Sequence, residues 1–280
     1  MLCRLLLVLV IGACGSRRAE PIVAGATAAK LPEGPPYVTP GERISYQLQI
    51  GGMNLATYDV GVGSTVEQVG GHRAIAVQSH AKSQGLVSMV ANLDTTFTSW
   101  IDVETGRPLR WTIEERGPDG AVKEGADARL FERKGDQVPV EVRWGDKAPV
   151  VEMQKVSMPD VWDYNALVIA VRAWEPKRGS TVTAEVMRSM YLWHVTVIVR
   201  GEENVTTEIG DFPALRIDGI SYRLRRDGTR DAGAPERNFT LWISNDDGRV
   251  PLQSVAQSDY GDIKMTLVDY QPGNGNRLRP

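Results

Sequence analysis

Two cysteines, three histidines and four phenylalanines are all that 280 residues hold of these types. Both cysteines, Cys3 and Cys14, lie near the N-terminus, so the remaining chain carries no thiol and closes no disulfide. A zinc centre needs several converging His, Cys or carboxylate ligands. His72, His80 and His194 show no HExxH spacing and read as strand-face or turn residues, so neither a metal site nor a cofactor is expected. Charge of one sign is missing too: 32 Lys+Arg against 35 Asp+Glu give a net charge of −3. With a pI near 5.8 there is no basic footprint for nucleic acid. After the N-terminal segment no apolar run reaches the roughly 18 residues that a membrane-spanning helix requires.

The common hydrolytic signatures are absent as well. No GxSxG elbow occurs, and no Gly-rich phosphate loop. Ser79-His80-Ala81-Lys82 has SxxK spacing but no accompanying KTG, and it sits in an alternating, strand-like stretch. Glu114-Glu115 and Glu202-Glu203 are adjacent, which in a strand sends the two carboxylates to opposite faces. Asn245-Asp246-Asp247-Gly248 lacks the alternating ligands and later Glu of a calcium loop and reads as a tight turn. No catalytic residue is assigned, and a non-enzymatic protein is expected.

The N-terminus is informative. Residues 1–13 carry Arg4, an apolar run from Leu5 to Ile11 and then small residues, the pattern of an export signal. Ile11-Gly12-Ala13-Cys14 resembles the bacterial lipobox, in which cleavage precedes a lipidated Cys, here Cys14. Several acyl chains would hold a protein on a membrane where one would not. Gly15, by the enteric sorting rule, points to the outer membrane, with the protein facing the periplasm. Residues 14–41 are rich in Pro, Ala and Gly, including Pro21, Pro32, Pro35, Pro36 and Pro40, and read as an extended tether.

Residues 42–271 read as one β-rich domain. Ile44, Tyr46, Leu48 and Ile50 alternate with polar residues, Gly51-Gly52 marks a hairpin turn, and Tyr58, Val60 and Val62 resume the alternation. The pattern recurs to Tyr270. One segment differs: Val161 to Trp174 follows Pro159-Asp160, has no internal Pro or Gly and stops at Glu175-Pro176, predicting a helix at about 160–174 capped by Asp160. A shorter helical turn is expected at Leu86 to Ala91, and residues 272–280 are expected to be loose. The fold class is mainly β: a large curved antiparallel sheet, an open barrel or a two-layer structure, crossed by one helix.

Several stretches resemble the bacterial domain of unknown function 3108. They are Pro40-Gly41-Glu42-Arg43-Ile44-Ser45-Tyr46, the Asp163-Tyr164 helix leading to Gly179, Val199-Arg200-Gly201-Glu202-Glu203, and Leu241-Trp242-Ile243-Ser244-Asn245-Asp246-Asp247-Gly248-Arg249-Val250-Pro251-Leu252 with Tyr260-Gly261-Asp262-Ile263. The resemblance spans about Pro40 to Tyr270. It implies an exported or envelope-associated β-rich protein without an established activity, and it carries over no catalytic residue.

Two residue groups are candidates for binding. Arg223, Arg225, Arg226 and Arg230 surround a strand end, where they could meet lipid phosphates or an anionic glycan. A solvated strand entering a polar loop, with Asp227 and Asp231 as partners, accounts for the same cluster. Trp100, Trp111, Trp144, Trp193 and Trp242 fall in strands, as core residues or as the aromatic lining of a ligand-binding concave face. The expected function is an envelope lipoprotein held by its acyl chains and binding a hydrophobic or amphipathic envelope component on a curved sheet. The alternative is a scaffolding lipoprotein that meets an envelope protein partner.

Overall fold

The computed structural model describes residues 27–84 and 93–279. The signal-like segment, Cys14 and the helical turn expected at Leu86 to Ala91 lie outside the described residues. Among the described residues sixteen strands and one α-helix follow one another, with a short 3-10 turn at Leu130–Glu132 after β7: β1 (Thr27–Ala28), β2 (Arg43–Ile50), β3 (Met53–Val69), β4 (His72–Ser83), β5 (Asp94–Asp102), β6 (Pro108–Arg116), β7 (Val122–Arg129), β8 (Gln137–Trp144), β9 (Val150–Lys155), β10 (Val161–Asp163), α1 (Tyr164–Arg172), β11 (Ser180–Arg188), β12 (Tyr191–Thr207), β13 (Gly210–Leu224), β14 (Arg237–Ser244), β15 (Pro251–Ser258) and β16 (Gly261–Gln271). All the strands join one open sheet. Its main path runs β11 through β16, then β2 through β9, so that β16 beside β2 brings the two ends of the chain together. Neighbours along this path are antiparallel, whereas β1 and β10 pair with β11 in parallel.

Local chemistry explains the regularity. Two-residue hairpins of the type that matches strand twist need positive φ at both central positions. Gly51 and Gly52 supply 56° and 82° between β2 and β3, and Gly70 and Gly71 supply 58° and 84° between β3 and β4.

The sheet curls until its two ends face each other without pairing. Residues of β6, β7 and β8, such as Trp111, Ala128 and Val140, share one apolar cluster with Met187, Leu192 and Leu224 of β11–β13. The chain leaving β9 bridges the gap. Lys155 N donates to Arg226 O at 2.8 Å, and Ser157 N, Ser157 Oγ and Met158 N all donate to the buried carboxylate of Glu185 on β11.

The helix is shorter than its sequence pattern predicts, and Asp163, not Asp160, is its cap. Asp163 has an extended backbone and accepts from Ala166 N at 2.8 Å. Val161 and Trp162 are drawn into β10 because they bury against the sheet in register with Glu185 and Val186. The helix lies inside the curl, with Ala166, Leu167, Ile169, Ala170 and Val171 buried in the largest apolar cluster.

Composition assigns residues 14–41 to a tether and residues 272–280 to a loose tail, yet the described part of both, residues 27–41 and 272–279, packs on the domain. Leu31 and Val38 are buried, and Thr27–Ala28 aligns with Ser180–Thr181. Leu278 N donates to Val38 O at 3.0 Å, and Arg279 Nε to Pro35 O at 2.8 Å. A Cβ at Gly273 would stand 2.2 Å from Pro40 O, so this approach needs glycine. Proline signals extended chain, and extended chain can be packed as readily as free.

Candidate ligand cavity

Between α1 and the concave face of the sheet lies a cavity of about 300 Å³. Its position follows from the period-two alternation. On β11 and β12 the inward rows are Val182, Ala184, Val186 and Trp193, Val195, Val197, with Val186 directly opposite Trp193. On the far wall Phe97 stacks on Trp111, ring centroids 5.5 Å apart. Tyr164, Leu167, Val168 and Val171 of α1 close the remaining side. A single nine-residue helix, about two and a half turns, does not fill the inside of the curl, so apolar walls face each other across open space. A smaller cavity of about 50 Å³ adjoins it and shares Tyr58, Tyr164, Val168, Leu241 and Met265.

Few polar groups line the large cavity: the phenols of Tyr58 and Tyr164 within it, and Ser221, Arg188, Arg237, Asn238, Ser254 and Gln257 among the sheet residues. Burial pushes both phenols above their ordinary pKa, while the nearby Arg188 cation acts in the opposite direction on each. Both therefore remain neutral hydrogen-bonding groups at physiological pH. Beneath the start of the helix, Asp163 is fully buried and accepts from Ser99 Oγ, and Asn165 accepts from Ser79 Oγ at 3.1 Å. Burial pushes the Asp163 carboxyl up to about 7 against these hydrogen bonds.

The sequence candidates divide. Trp111 and Trp193 line the cavity, and Trp111 is anchored by donating Nε1 to Ser189 O at 3.1 Å. Trp100, Trp144 and Trp242 do not line it. Trp100 alternates with the buried Ser99 and Ile101 and donates to Glu67 at 3.1 Å. Trp144 is exposed near the edge of the sheet. Trp242 follows the cavity residue Leu241 in sequence and donates to Glu203.

The arginines do not converge on one pocket. Arg223 donates to Asp231 at 2.7 Å, and Arg225 lies 3.7 Å from the same carboxylate. Arg226 reaches across the gap in the curl to Glu152 and Gln154 of β9, at 2.6 Å and 3.1 Å. Arg230 pairs with Glu236 at 3.2 Å. The four arginines face three carboxylates, with Asp231 shared by Arg223 and Arg225, so they form separate pairs and not one anion pocket.

His72 and His80 lie against Asp102 and Asp94, at 3.3 Å and 2.8 Å, and His194 stacks on Tyr222. Among the described residues no group of three or more His, Cys, Asp or Glu could hold a metal ion. Ser79 and Lys82 are separated: the first is buried against Asn165, the second is exposed near Asp94. Asp246 accepts from Ser244 Oγ, Gly248 N and Arg249 N, so its carboxylate organises its own turn. Arg188 escapes the sequence analysis. Its signal is its place at the end of the apolar alternation Val182, Ala184, Val186, where the next inward position carries a cation.

These features define an open, β-barrel-like protein with an apolar interior beside a single enclosed helix. The chain belongs to the DUF3108 family of proteins of unknown function, whose profile matches residues 45–268. Among solved structures it is similar to a β-barrel-like protein of the domain of unknown function DUF1849 from Brucella abortus, with a TM-score of 0.56 and 10% identity over 85% of this chain and 100% of that one. That likeness shows the fold. A candidate lipoprotein from Parabacteroides distasonis and a candidate exported protein with a YmcC-like fold from Bacteroides fragilis align with TM-scores of 0.37 and 0.33, each at 8% identity over 85% of this chain and 99% of theirs. No curated protein matches the sequence.

Proposed function

We propose that this protein is a lipid-anchored, non-enzymatic component of the cell envelope, facing the periplasm from the outer membrane, that holds a hydrophobic or amphipathic molecule between α1 and the sheet. The observation that carries the proposal is the apolar cavity of about 300 Å³, a size within the range of ligand sites. Cys14 in its lipobox-like context supports the anchor, and the Brucella abortus protein shares the barrel-like frame. At about 30 Å³ for a group the size of a water molecule, the space takes at least roughly ten methylene-sized groups. Burying ten methylenes at about 0.8 kcal/mol each gives an upper bound near 8 kcal/mol before the costs of association.

The test is Val168→Phe, which adds bulk to the helix face shared by both cavities. Binding of the neutral apolar dye N-phenyl-1-naphthylamine is expected to fall at least ten-fold while the protein stays folded by circular dichroism. Unchanged binding by a folded variant would place the dye elsewhere and remove the support for this function.

A second reading, docking of a protein partner, has its own observation. β9 ends the strand path and exposes Val150, Val151 and Met153, with Trp144 exposed on the neighbouring strand. Exposed apolar edges invite strand addition. Val151→Lys would abolish such docking and leave dye binding intact.

A further inference from the structure

We infer that the cavity takes a single-chain amphiphile with an anionic headgroup, and that Arg188 is the group that meets the head. This rests on the cavity reading above and adds the chemical class of its occupant.

The inward alternation of β11 ends on a cation. Val182, Ala184 and Val186 face the core, and Arg188 is the next residue on that side, at the end of the strand, exposed and still lining the cavity. Its guanidinium stands 5.4 Å from the ring centroid of Trp193, another cavity residue. The other cavity-lining arginine, Arg237, pairs with Asp259, and the nearby Arg223 pairs with Asp231. Arg188 has no carboxylate partner among the described residues, so one guanidinium at this cavity keeps its charge available. The Tyr164 hydroxyl likewise makes no hydrogen bond among the described residues, and burial keeps it protonated as a donor. A guanidinium and a phenol together suit a carboxylate or phosphate oxygen. The apolar lining suits the rest of the molecule: the space has room for at least roughly ten methylene-sized groups and so admits one alkyl chain.

The test uses the intact protein in a nonionic detergent and four twelve-carbon probes: dodecanoate, dodecyl phosphate, dodecanol and dodecyltrimethylammonium, with bound probe read by native mass spectrometry. The two anions are expected to bind at least ten-fold more tightly than dodecanol, with the tighter of them identifying the head as carboxylate or phosphate. Arg188→Gln is expected to remove that preference and leave dodecanol unchanged, and Arg188→Lys to keep part of it. Equal binding of all four probes, or a preference that survives Arg188→Gln, overturns this inference and leaves the cavity reading standing. If no probe binds, the cavity reading fails with it.

Discussion

Glu42, just before the first long strand, and Arg172, in the last turn of the helix, are 130 positions apart and form a buried two-pronged pair. Arg172 donates from Nη1 to Oε2 at 3.1 Å and from Nη2 to Oε1 at 2.7 Å. Arg172 also donates to the carbonyls of Gly248 and Arg249, while Arg249 returns a hydrogen bond from Nε to Arg172 O at 3.1 Å. Tyr270 on the last strand donates to Glu42 at 3.2 Å. The pair thus ties the helix to both ends of the chain and to the turn between β14 and β15. It holds the helix against one part of the curl, while the cavity opens beside it.

Removing one member of a buried ion pair leaves an uncompensated charge and typically costs about 3–5 kcal/mol. Arg172→Met is therefore expected to lower the unfolding free energy by about that amount in a urea titration. The double variant Glu42→Gln with Arg172→Met is expected to recover part of the loss, because it removes the stranded carboxylate. A single variant as stable as the parent would show that the pair does not anchor the helix.

Asp163 makes stability depend on pH. Its folded carboxyl, pushed up to about 7 by burial, keeps a proton that the unfolded chain releases near pH 4. The folded state therefore binds more protons between about pH 4 and pH 7. The contribution is full below pH 4, declines as pH rises, and is gone above about 7. Three pH units bound the effect at about 4 kcal/mol. Asp163→Asn keeps an acceptor for Ala166 N, since Asn is also a good N-cap, but cannot titrate. The urea midpoint of the parent is expected to fall between pH 4.5 and pH 7.5, and that of the variant to fall less. Parallel pH profiles would assign the titration to another group.

The anchor has a separate test. Cys14→Ala is expected to release the protein from membranes washed at alkaline pH, because no acyl chain can be attached. A variant that still pellets with the washed membranes would contradict lipid anchoring through Cys14.

Much of the sheet was legible because period-two alternation and paired glycines are local signals. Strand β7, Val-Lys-Glu-Gly-Ala-Asp-Ala-Arg over residues 122–129, was not: Gly125, Ala126 and Ala128 are small, and the strand is held by its neighbours β6 and β8. The helix is visible in the sequence as an element, but its start is not, because Val161 and Trp162 pair with β11 instead of continuing a helix. The same limit applies to the cavity. Which tryptophans face inward depends on register, and bulges such as those at Trp100/Ile101 and Trp242/Ile243 are properties of the paired strands. The arginine cluster was visible as charge, but its carboxylate partners include Glu152, which lies 74 positions from Arg226.

The most direct test of the central claim is native mass spectrometry with lipid extraction on the protein purified from its own envelope without denaturation. The account predicts one co-purifying single-chain amphiphile per protein chain, lost in Val168→Phe. A protein that emerges empty, and that takes up no apolar probe afterwards, would contradict the claim that the space between α1 and the sheet is a binding site.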